Sequence, residues 1–157
     1  MTNMNIVTYA SAVGIEPERL WVVSLYKGTL SHDNFFREGW GVLQLLRRKH
    51  APLVPILGKT SGRDTDKLSS CARQALPWDQ PPRELLSAPR NISVIPDCAT
   101  YLTLRLVSKQ PAGDHDAVVC RVVSIAGPDE GQGPRASVCP EEESTLETGH
   151  LREAGII

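Results

Sequence analysis

Residues 98–125 read CATYLTLRLVSKQPAGDHDAVVCRVVSI, and this stretch decides the fold. Its first half, Cys98–Ser108, carries leucine at every second position from 102 to 106, which is typical of a half-buried β-strand. Its second half, Ala117–Ile125, is a β-branched and apolar run that predicts a second strand. The turn Pro111–Asp114 between them contains Gly113, the residue type best suited to a positive φ angle. The stretch therefore predicts an antiparallel hairpin.

Other segments of the chain carry signals for further strands and for short helices. Predicted strands are Ile6–Val13, Leu20–Leu25, Val42–Leu46 and the shorter apolar run Asn91–Ile95. Short helices are predicted after the capping residues Ser31–Asn34 and before Gly39, over Lys49–Leu57, and from within Ser61–Ser70. Strands that follow one another through turns, with only short helices between them, predict a mainly β fold built as a barrel.

The length and the C-terminal half of the chain set the domain organisation. A chain of 157 residues fits one domain, residues 1–157, with a core of its own. Residues 127–144 combine glycine, proline and acidic residues, which is typical of a flexible surface segment. The tail Leu151–Ile157 ends apolar, so we expect it to dock onto the core or onto a partner subunit.

The composition narrows the class of protein and its partners. Hydrophobic residues make up 41% of the sequence and charged residues 22%, the ordinary balance of a soluble globular protein. A formal net charge of -1 and an aromatic content of 5% argue against nucleic acid as a partner. No apolar run is long enough to span a membrane, and the first residues lack the features of a secretory signal. We therefore expect an intracellular soluble protein, cytoplasmic by default.

The four cysteines give no sign of a metal site. Cys71, Cys98, Cys120 and Cys139 are too far apart for a Cys-x-x-Cys pair, and no histidine stands beside them at ligand spacing. Long spacings without a secretory signal favour free thiols in a reducing compartment.

The loop Gly58–Asp64 has the composition of a phosphate-binding loop. It reads GKTSGRD and contains two glycines, two hydroxyls and two cations. A nucleotide-triphosphate loop needs a glycine five residues before the Gly-Lys-Thr, and Leu53 occupies that position. On the local sequence alone, the favoured interpretation is a polar loop after a helix, with Gly58 as its C-cap and Lys59 near its negative end.

Three separated segments together resemble one protein family. They read SLYKGTLSHD at residues 24–33, GKTSGRDTDK at residues 58–67 and GDHD at residues 113–116. Their order and spacing are similar to those of the flavin reductase-like, FMN-binding split-barrel family. Members of that family have a further strand ahead of the segment resembling Asn5–Pro17. The resemblance therefore implies a split β-barrel that lacks its first strand, is rearranged, or is completed by a partner.

The resemblance implies FMN as the cofactor and assigns residues to it. Lys27 supplies charge to the FMN phosphate, and Thr29 and Ser31 supply hydroxyls. The implied contacts to the rest of the cofactor come from Asn5, Thr8, Tyr9, Ala10, Ser11 and Ser24. Lys59, Ser61 and Arg63 either close over the phosphate or face the neighbouring subunit. Read without the family, Ser31 is a helix cap, Lys27 a solvated charge and residues 5–11 a plain amphipathic strand.

The resemblance also implies an activity. His115 matches a histidine near the place where nicotinamide approaches the flavin, which makes it the candidate catalytic residue. The implied reaction is hydride transfer from NADH or NADPH to N5 of the flavin, in a homodimer that passes electrons or flavin to a downstream acceptor. No Gly-x-Gly-x-x-Gly fingerprint is present, so the nicotinamide donor is expected in an open cleft. The alternatives are a non-enzymatic FMN carrier or sensor, and an interaction subunit with a degenerate barrel.

Overall fold

Five strands form one antiparallel sheet in the computed structural model, which describes residues 2–85, 92–127, 141 and 144–156. Their bounds are β1 Ala10–Gly14, β2 Leu20–Tyr26, β3 Trp40–Leu45, β4 Thr100–Ala112 and β5 His115–Ala126. The order along the sheet is β1-β2-β5-β4-β3, and each neighbouring pair is antiparallel. The predicted mainly β fold with short helices is confirmed.

The hairpin of β4 and β5 lies at the centre of this sheet. Its turn has only two residues, because Ala112 already pairs with His115, and Gly113 takes a φ of 61°. Pro111 was predicted in the turn and instead belongs to β4. Residues 101–104 are all buried, because the two faces of β4 contact two different hydrophobic clusters.

The strand predicted at Ile6–Val13 is much shorter than its sequence suggests. Only Ala10–Gly14 pairs with β2, and residues 2–8 lie outside the sheet. Just ahead of the predicted strand, the backbone carbonyl of Met4 and Oδ1 of the Asn5 side chain accept hydrogen bonds from Nζ of Lys67. The predicted strand Asn91–Ile95 is also wrong where it is described: only Val94 pairs, in an isolated bridge to Asp79.

Four short helices and one 3-10 turn surround the sheet in the described residues. They are α1 Leu30–Glu38, α2 Leu53–Lys59, α3 Lys67–Arg73, α4 Thr148–Glu153 and the 3-10 turn Arg48–His50. The single helix predicted over Lys49–Leu57 is divided, because Pro52 has no N–H to continue it and stands at the start of α2 instead. Gly58 lies inside α2, which Thr60 ends, so its prediction as a C-cap is wrong.

The start of α1 lies at Thr29 and not at Ser31. Thr29 has the extended backbone of an N-cap, and its Oγ1 accepts a hydrogen bond from the N–H of His32 at 3.2 Å. The prediction that Ser31–Asn34 supplies the cap is therefore wrong. The prediction that Gly39 ends this helix is confirmed, since it takes a φ of 75° and its N–H bonds to the carbonyl of Phe35.

The C-terminal tail docks onto the core. Leu151 of α4 is 7% exposed, and the carbonyl of Ile156 accepts a hydrogen bond from Nζ of Lys59. Residues 128–140, 142 and 143, which make up most of the predicted flexible segment 127–144, lie outside the described residues. The cysteines Cys71, Cys98 and Cys120 are buried free thiols, and Cys139 lies outside the described residues. None of the described helices is both long and apolar enough to cross a membrane.

Candidate functional site

A cavity of about 640 Å³ opens between the sheet and the N-terminal segment. Residues 2–8, strands β2 and β3, helix α1 and the C-terminal residues 145–151 contribute to its walls. Sites for cofactors and small molecules typically measure roughly 300–1,000 Å³. The cavity therefore has the size of a ligand site, and some of the residues predicted to contact the flavin line it.

One wall of the cavity is apolar. It is formed by Trp21 and Val23 of β2, Leu43 of β3, Leu104 of β4 and Cys120 of β5. Burial raises the pKa of the Cys120 thiol to about 11, so this wall carries no charge at neutral pH. A flat hydrophobic ring is the chemical group that such a wall would receive.

The cavity is also lined by a polar cluster of Asn3, Asn5 and Ser31. Nδ2 of Asn3 donates to Oγ of Ser31 at 2.8 Å and to Oδ1 of Asn5 at 3.2 Å. Oγ of Ser31 in turn donates to Oδ1 of Asn5 at 3.3 Å. All three residues line the cavity, so it combines apolar side chains with this hydrogen-bonded cluster.

Lys67 supports this polar cluster from behind. Its Nζ donates to Oδ1 of Asn5 at 2.8 Å and to the carbonyls of Met4 and Leu57 at 3.0 Å each. The residue is 2% exposed, and burial lowers the pKa of its ammonium. An ammonium so fully hydrogen-bonded holds the N-terminal segment against α2.

A second group of polar side chains lies at the turn of the β4–β5 hairpin. Nζ of Lys27 donates to the carbonyl of Gly113 at 2.6 Å and lies 3.7 Å from Oδ1 of Asp116. Nδ1 of His115 lies 2.7 Å from Oδ1 of Asp114, and the His115 ring contacts Tyr26 edge-on at 5.1 Å. The side chain of Lys27 is 39% exposed, so its ammonium remains accessible to a ligand.

The carboxylate of Asp116 joins the hairpin to α1. Its Oδ2 lies 2.9 Å from Nε2 of His32, and the side chain is 7% exposed. The hydrogen bond from His32 lowers the pKa of Asp116, and the charges of Lys27 and Lys109 act in the same direction. Asp116 is therefore a carboxylate that fixes Lys27 and His32 relative to each other.

The structure divides the predicted site residues into two groups. The cavity lining includes Asn5, Thr8, Ala10, Ser24, Thr29 and Ser31. The lining does not include Tyr9, Ser11, Lys27, Lys59, Ser61, Arg63 and His115.

The three predicted residues of the Gly58–Asp64 loop contact other parts of the protein and do not line the cavity. Nζ of Lys59 bonds to the C-terminal tail, and the guanidinium of Arg63 forms an ion pair with Asp33 of α1. Oγ of Ser61 accepts a hydrogen bond from the backbone N–H of Arg63 at 3.1 Å. This loop therefore packs beside the first turns of α1 without entering the cavity.

Sequence reasoning missed Asn3 and Lys67. Asn3 stands ahead of the segment that resembles the family, and Lys67 ends the GKTSGRDTDK run as its least distinctive position. A lysine in the first turn of a short helix ordinarily points to solvent, and nothing local predicts its burial. Only the long-range contact with Asn5, 62 residues away, reveals it.

The cavity fits the chemistry of FMN. A planar ring with a hydrogen-bonding edge matches an apolar wall in the same cavity as Asn5, and a phosphate matches the hydroxyls of Thr29 and Ser31 in the first turn of α1. The residues that would hold the ring are those of the apolar wall and Asn5. The accessible cations include Lys27 beside the hairpin turn, with a side chain 39% exposed, and Arg37, which lines the cavity and is 60% exposed.

Comparison with solved structures shows the same fold in flavin-binding proteins. An FMN-binding protein from Thermus thermophilus with bound 1-cyclohex-2-enone is 20% identical, with a TM-score of 0.65 over 83% of this chain and 66% of that one. Flavoredoxin from Methanosarcina acetivorans is 14% identical, with a TM-score of 0.67 over 92% of this chain and 72% of that one.

A third structure has an enzymatic name. NADH:FAD oxidoreductase from Streptomyces globisporus C-1027 is 13% identical, with a TM-score of 0.59 over 75% of this chain and 63% of that one. This chain thus spans about two thirds of the length of the solved structures it matches first. No curated protein matches the sequence.

The family comparison covers nearly the whole described chain. The matching family is described as "Flavin reductase like domain", and the match extends over residues 2–141. The five-stranded sheet with short helices is the split-barrel fold of the solved neighbours. The chain therefore belongs to the flavin reductase like domain family.

Proposed function

We propose that the protein binds FMN in this cavity and reduces flavin with NADH or NADPH. The observation that carries the proposal is that the apolar wall and the polar cluster line the same cavity of about 640 Å³. The names of the neighbours support it, since they include FMN-binding proteins and an NADH:FAD oxidoreductase.

The residues of the chain would act by binding and orientation. Bound FMN supplies an acceptor for the hydride of a reduced nicotinamide. The apolar wall excludes water from the ring, and Asn5 offers a hydrogen bond to its polar edge. Thr29 and Ser31 would hold the phosphate by turning their hydroxyl protons to it from the carbonyl of Tyr26 and from Oδ1 of Asn5. Lys27 would add one positive charge. Bringing donor and acceptor rings together is then the main catalytic task of the protein.

The role of His115 is a separate part of this proposal. Its ring stands at the hairpin turn beside Tyr26, outside the cavity lining. A ring in that position would contact the nicotinamide as it approaches from the open side. His115→Gln should then raise the KM for the nicotinamide donor while leaving FMN affinity unchanged.

We also propose that the protein is a homodimer that passes electrons or flavin to a downstream acceptor protein. Exposed apolar side chains on and beside the outer strand β1 support this, since Tyr9 is 70%, Val13 56% and Ile15 74% exposed. Such a surface at a sheet edge is typical of contact with another chain. Sedimentation should give the mass of a dimer for the FMN-loaded protein, and a loaded monomer would refute this part.

A flavin-binding measurement tests the main proposal. Purified protein incubated with FMN should retain the flavin absorption spectrum after gel filtration and should quench FMN fluorescence on titration. Oxidation of NADH or NADPH with added flavin then separates the enzyme from the alternative, a non-enzymatic FMN carrier or sensor. That alternative is favoured by the position of His115 outside the cavity lining. A protein that takes up no FMN overturns both.

A further inference from the structure

We propose that Lys67 is a positioning residue, which fixes the side chain of Asn5 in one orientation for recognition of a ligand acceptor atom. The inference rests on the proposed FMN site and adds to it a residue that does not itself line the cavity. It starts from the cost of burying an ammonium.

The ammonium of Lys67 has no carboxylate partner within ion-pair distance among the described residues. Its three protons are all used, on the carbonyls of Met4 and Leu57 and on Oδ1 of Asn5. A lysine that is 2% exposed without a counter-ion is costly to a fold, because water no longer solvates its charge. The contacts to the carbonyls of Met4 and Leu57 are enough to hold the N-terminal segment against α2. The contact to Asn5, a side chain of the cavity wall, therefore has a separate role.

Three donors converge on Oδ1 of Asn5. They are Nζ of Lys67 at 2.8 Å, Nδ2 of Asn3 at 3.2 Å and Oγ of Ser31 at 3.3 Å. Turning the amide over would bring its own NH2 group against an ammonium, which has no acceptor to offer. Losing one charge-assisted hydrogen bond would by itself make the turned-over orientation roughly ten-fold or more less populated than the observed one. The Asn5 amide therefore has one orientation before any ligand arrives.

The fixed orientation determines which ligand atoms the site can accept. With Oδ1 occupied by protein donors, Nδ2 is the group of Asn5 left to serve a ligand. A donor at that position recognises a carbonyl oxygen or an unprotonated ring nitrogen, as on the polar edge of an oxidised flavin. Preorganising that donor removes the entropy cost of ordering it at the moment of binding. Lys67 thus acts on the ligand through Asn5 and makes no contact with it.

The first test uses the apoprotein and needs no flavin. In 15N relaxation measurements, the side-chain NH2 group of Asn5 should be about as rigid as the backbone in the wild type. In Lys67→Met its order parameter should fall, because the amide then rotates about the Cβ–Cγ bond and samples both orientations. Lys49→Met is the matched control, because Lys49 pairs with Asp97 and does not line the cavity. An unchanged order parameter for Asn5 in Lys67→Met overturns the inference.

The second test asks whether Lys67 works through Asn5. FMN affinity is measured for the wild type, Lys67→Met, Asn5→Ala and the double variant. Each single substitution should weaken binding about ten-fold, and the double variant should be no weaker than Asn5→Ala alone. If Lys67→Met costs the same factor in both backgrounds, its role is only structural and the inference is overturned.

Asn5→Asp covers the case in which Lys67→Met fails to fold. The aspartate keeps the acceptor for Lys67 and adds an ion pair, so the apoprotein should melt no earlier than the wild type. It has no NH2 group, so FMN affinity should still fall about ten-fold. Unchanged affinity overturns the inference. If the wild type itself binds no FMN, the proposed function falls while the NMR comparison still decides the orientation of Asn5.

Discussion

Nε2 of His32 lies 2.9 Å from Oδ2 of Asp116, and this contact ties the first turn of α1 to the start of β5. The carboxylate is 7% exposed, and the His32 ring also contacts Phe36 edge-on at 4.6 Å. Because Asp116 lies beside Lys27 as well, the contact sets the distance between α1 and the hairpin turn. The residues proposed to hold the FMN phosphate and those proposed to meet the nicotinamide are thus connected through one carboxylate.

Replacing His32 should therefore destabilise the fold in a pH-dependent way. The folded-state pKa of Asp116 is lowered chiefly by the bond to His32, so this stabilisation exists above the ordinary value of 3.8 and is lost as the pH falls through the lower folded value. His32→Phe should melt a few degrees below the wild type at neutral pH, and the difference should narrow below about pH 4. Thermal unfolding across this pH range provides the measurement. Arg37→Gln removes an exposed ion pair with Glu38 on the same helix, leaves His32 and Asp116 in place, and is the control. A gap of equal size at every pH would contradict this account.

The sequence predicted the central hairpin because the residues that form both strands and the turn are adjacent in the chain. Alternating leucines, a β-branched run and Gly113 all lie within residues 98–125, so one short window contains both strands and their turn. The prediction of the N-terminal strand was too long because the contacts of this segment are not local. Met4 and Asn5 contact Lys67, more than sixty positions away, and residues 2–8 lie outside the sheet. The local sequence does not predict this long-range contact.

His50 should make the stability of the protein fall in mildly acidic solution. It is completely buried, and desolvation lowers the pKa of its ring to about 4. A depressed histidine pKa means that the unfolded chain binds the proton first, so stability is lost as the pH drops from 6.5 towards 4. The shift corresponds to about 3 kcal/mol in the free energy of unfolding. Urea unfolding at neutral pH and near pH 4 measures it.

A second histidine in the chain provides the control for His50. Nδ1 of His50 accepts a hydrogen bond from the N–H of Arg47, and Nδ1 of His150 accepts one from the N–H of Glu147. His50→Gln should remove most of the loss of stability between neutral pH and pH 4. His150→Gln removes the matching bond but leaves His50 in place, so the loss should remain. Equal pH profiles for wild type and His50→Gln would refute the assignment.

Gly62 should be required for the polar cluster of the cavity. A Cβ atom added there would collide with the side-chain amide of Asn3, whose Cγ lies 2.8 Å from the position of that atom. Because Asn3 is the group that must move, Gly62→Ala should break its 2.8 Å bond to Ser31 and cost about 1 kcal/mol of folding stability. It should also weaken FMN binding. Calorimetric unfolding and FMN titration together check both effects.

Gly58→Ala is the matched glycine control. Gly58 lies inside α2, where a Cβ atom would stand 3.4 Å from Cγ1 of Ile6, an ordinary contact distance. Alanine favours a helix over glycine by up to about 1 kcal/mol, so this variant should be as stable as the wild type or more so. If both variants are equally destabilised, the contact between Gly62 and Asn3 is not the cause.

The residues that line the cavity were predictable only in part, and the division has a physical origin. Thr29 and Ser31 stand where a loop meets a helix, and such junctions are visible in a sequence. The cations were harder to place. A long flexible side chain is positioned by whatever acceptor lies in reach, which for Lys59 is the carbonyl of Ile156 near the far end of the chain. The sequence therefore shows which loop residues are cations but does not predict which acceptors they bond to.

Lys27 and Lys59, the two lysines that the resemblance offers for the phosphate, should differ in their effect on FMN binding. Lys27 stands beside the first turn of α1, with 39% of its side chain exposed and Asp116 holding its ammonium near the hairpin turn. Lys59 is bonded to the C-terminal tail and does not line the cavity. Lys27→Ala should weaken FMN binding by about 1.5–3 kcal/mol, the value of a charge-assisted hydrogen bond. Lys59→Ala should change it by much less.

Riboflavin, which lacks the phosphate, separates a phosphate contact from a general loss of structure. If Lys27 bonds to the phosphate, Lys27→Ala should bind riboflavin as well as the wild type does, because the ring contacts are untouched. A variant that loses FMN and riboflavin affinity equally would show that Lys27 instead maintains the hairpin turn through Gly113 and Asp116. The contact between Lys27 and the phosphate should also weaken as the salt concentration is raised, because an exposed charge pair is screened over about 10 Å at 0.1 M ionic strength. The affinity of Lys27→Ala should depend less on salt than that of the wild type, and fluorescence titrations at two salt concentrations measure this difference.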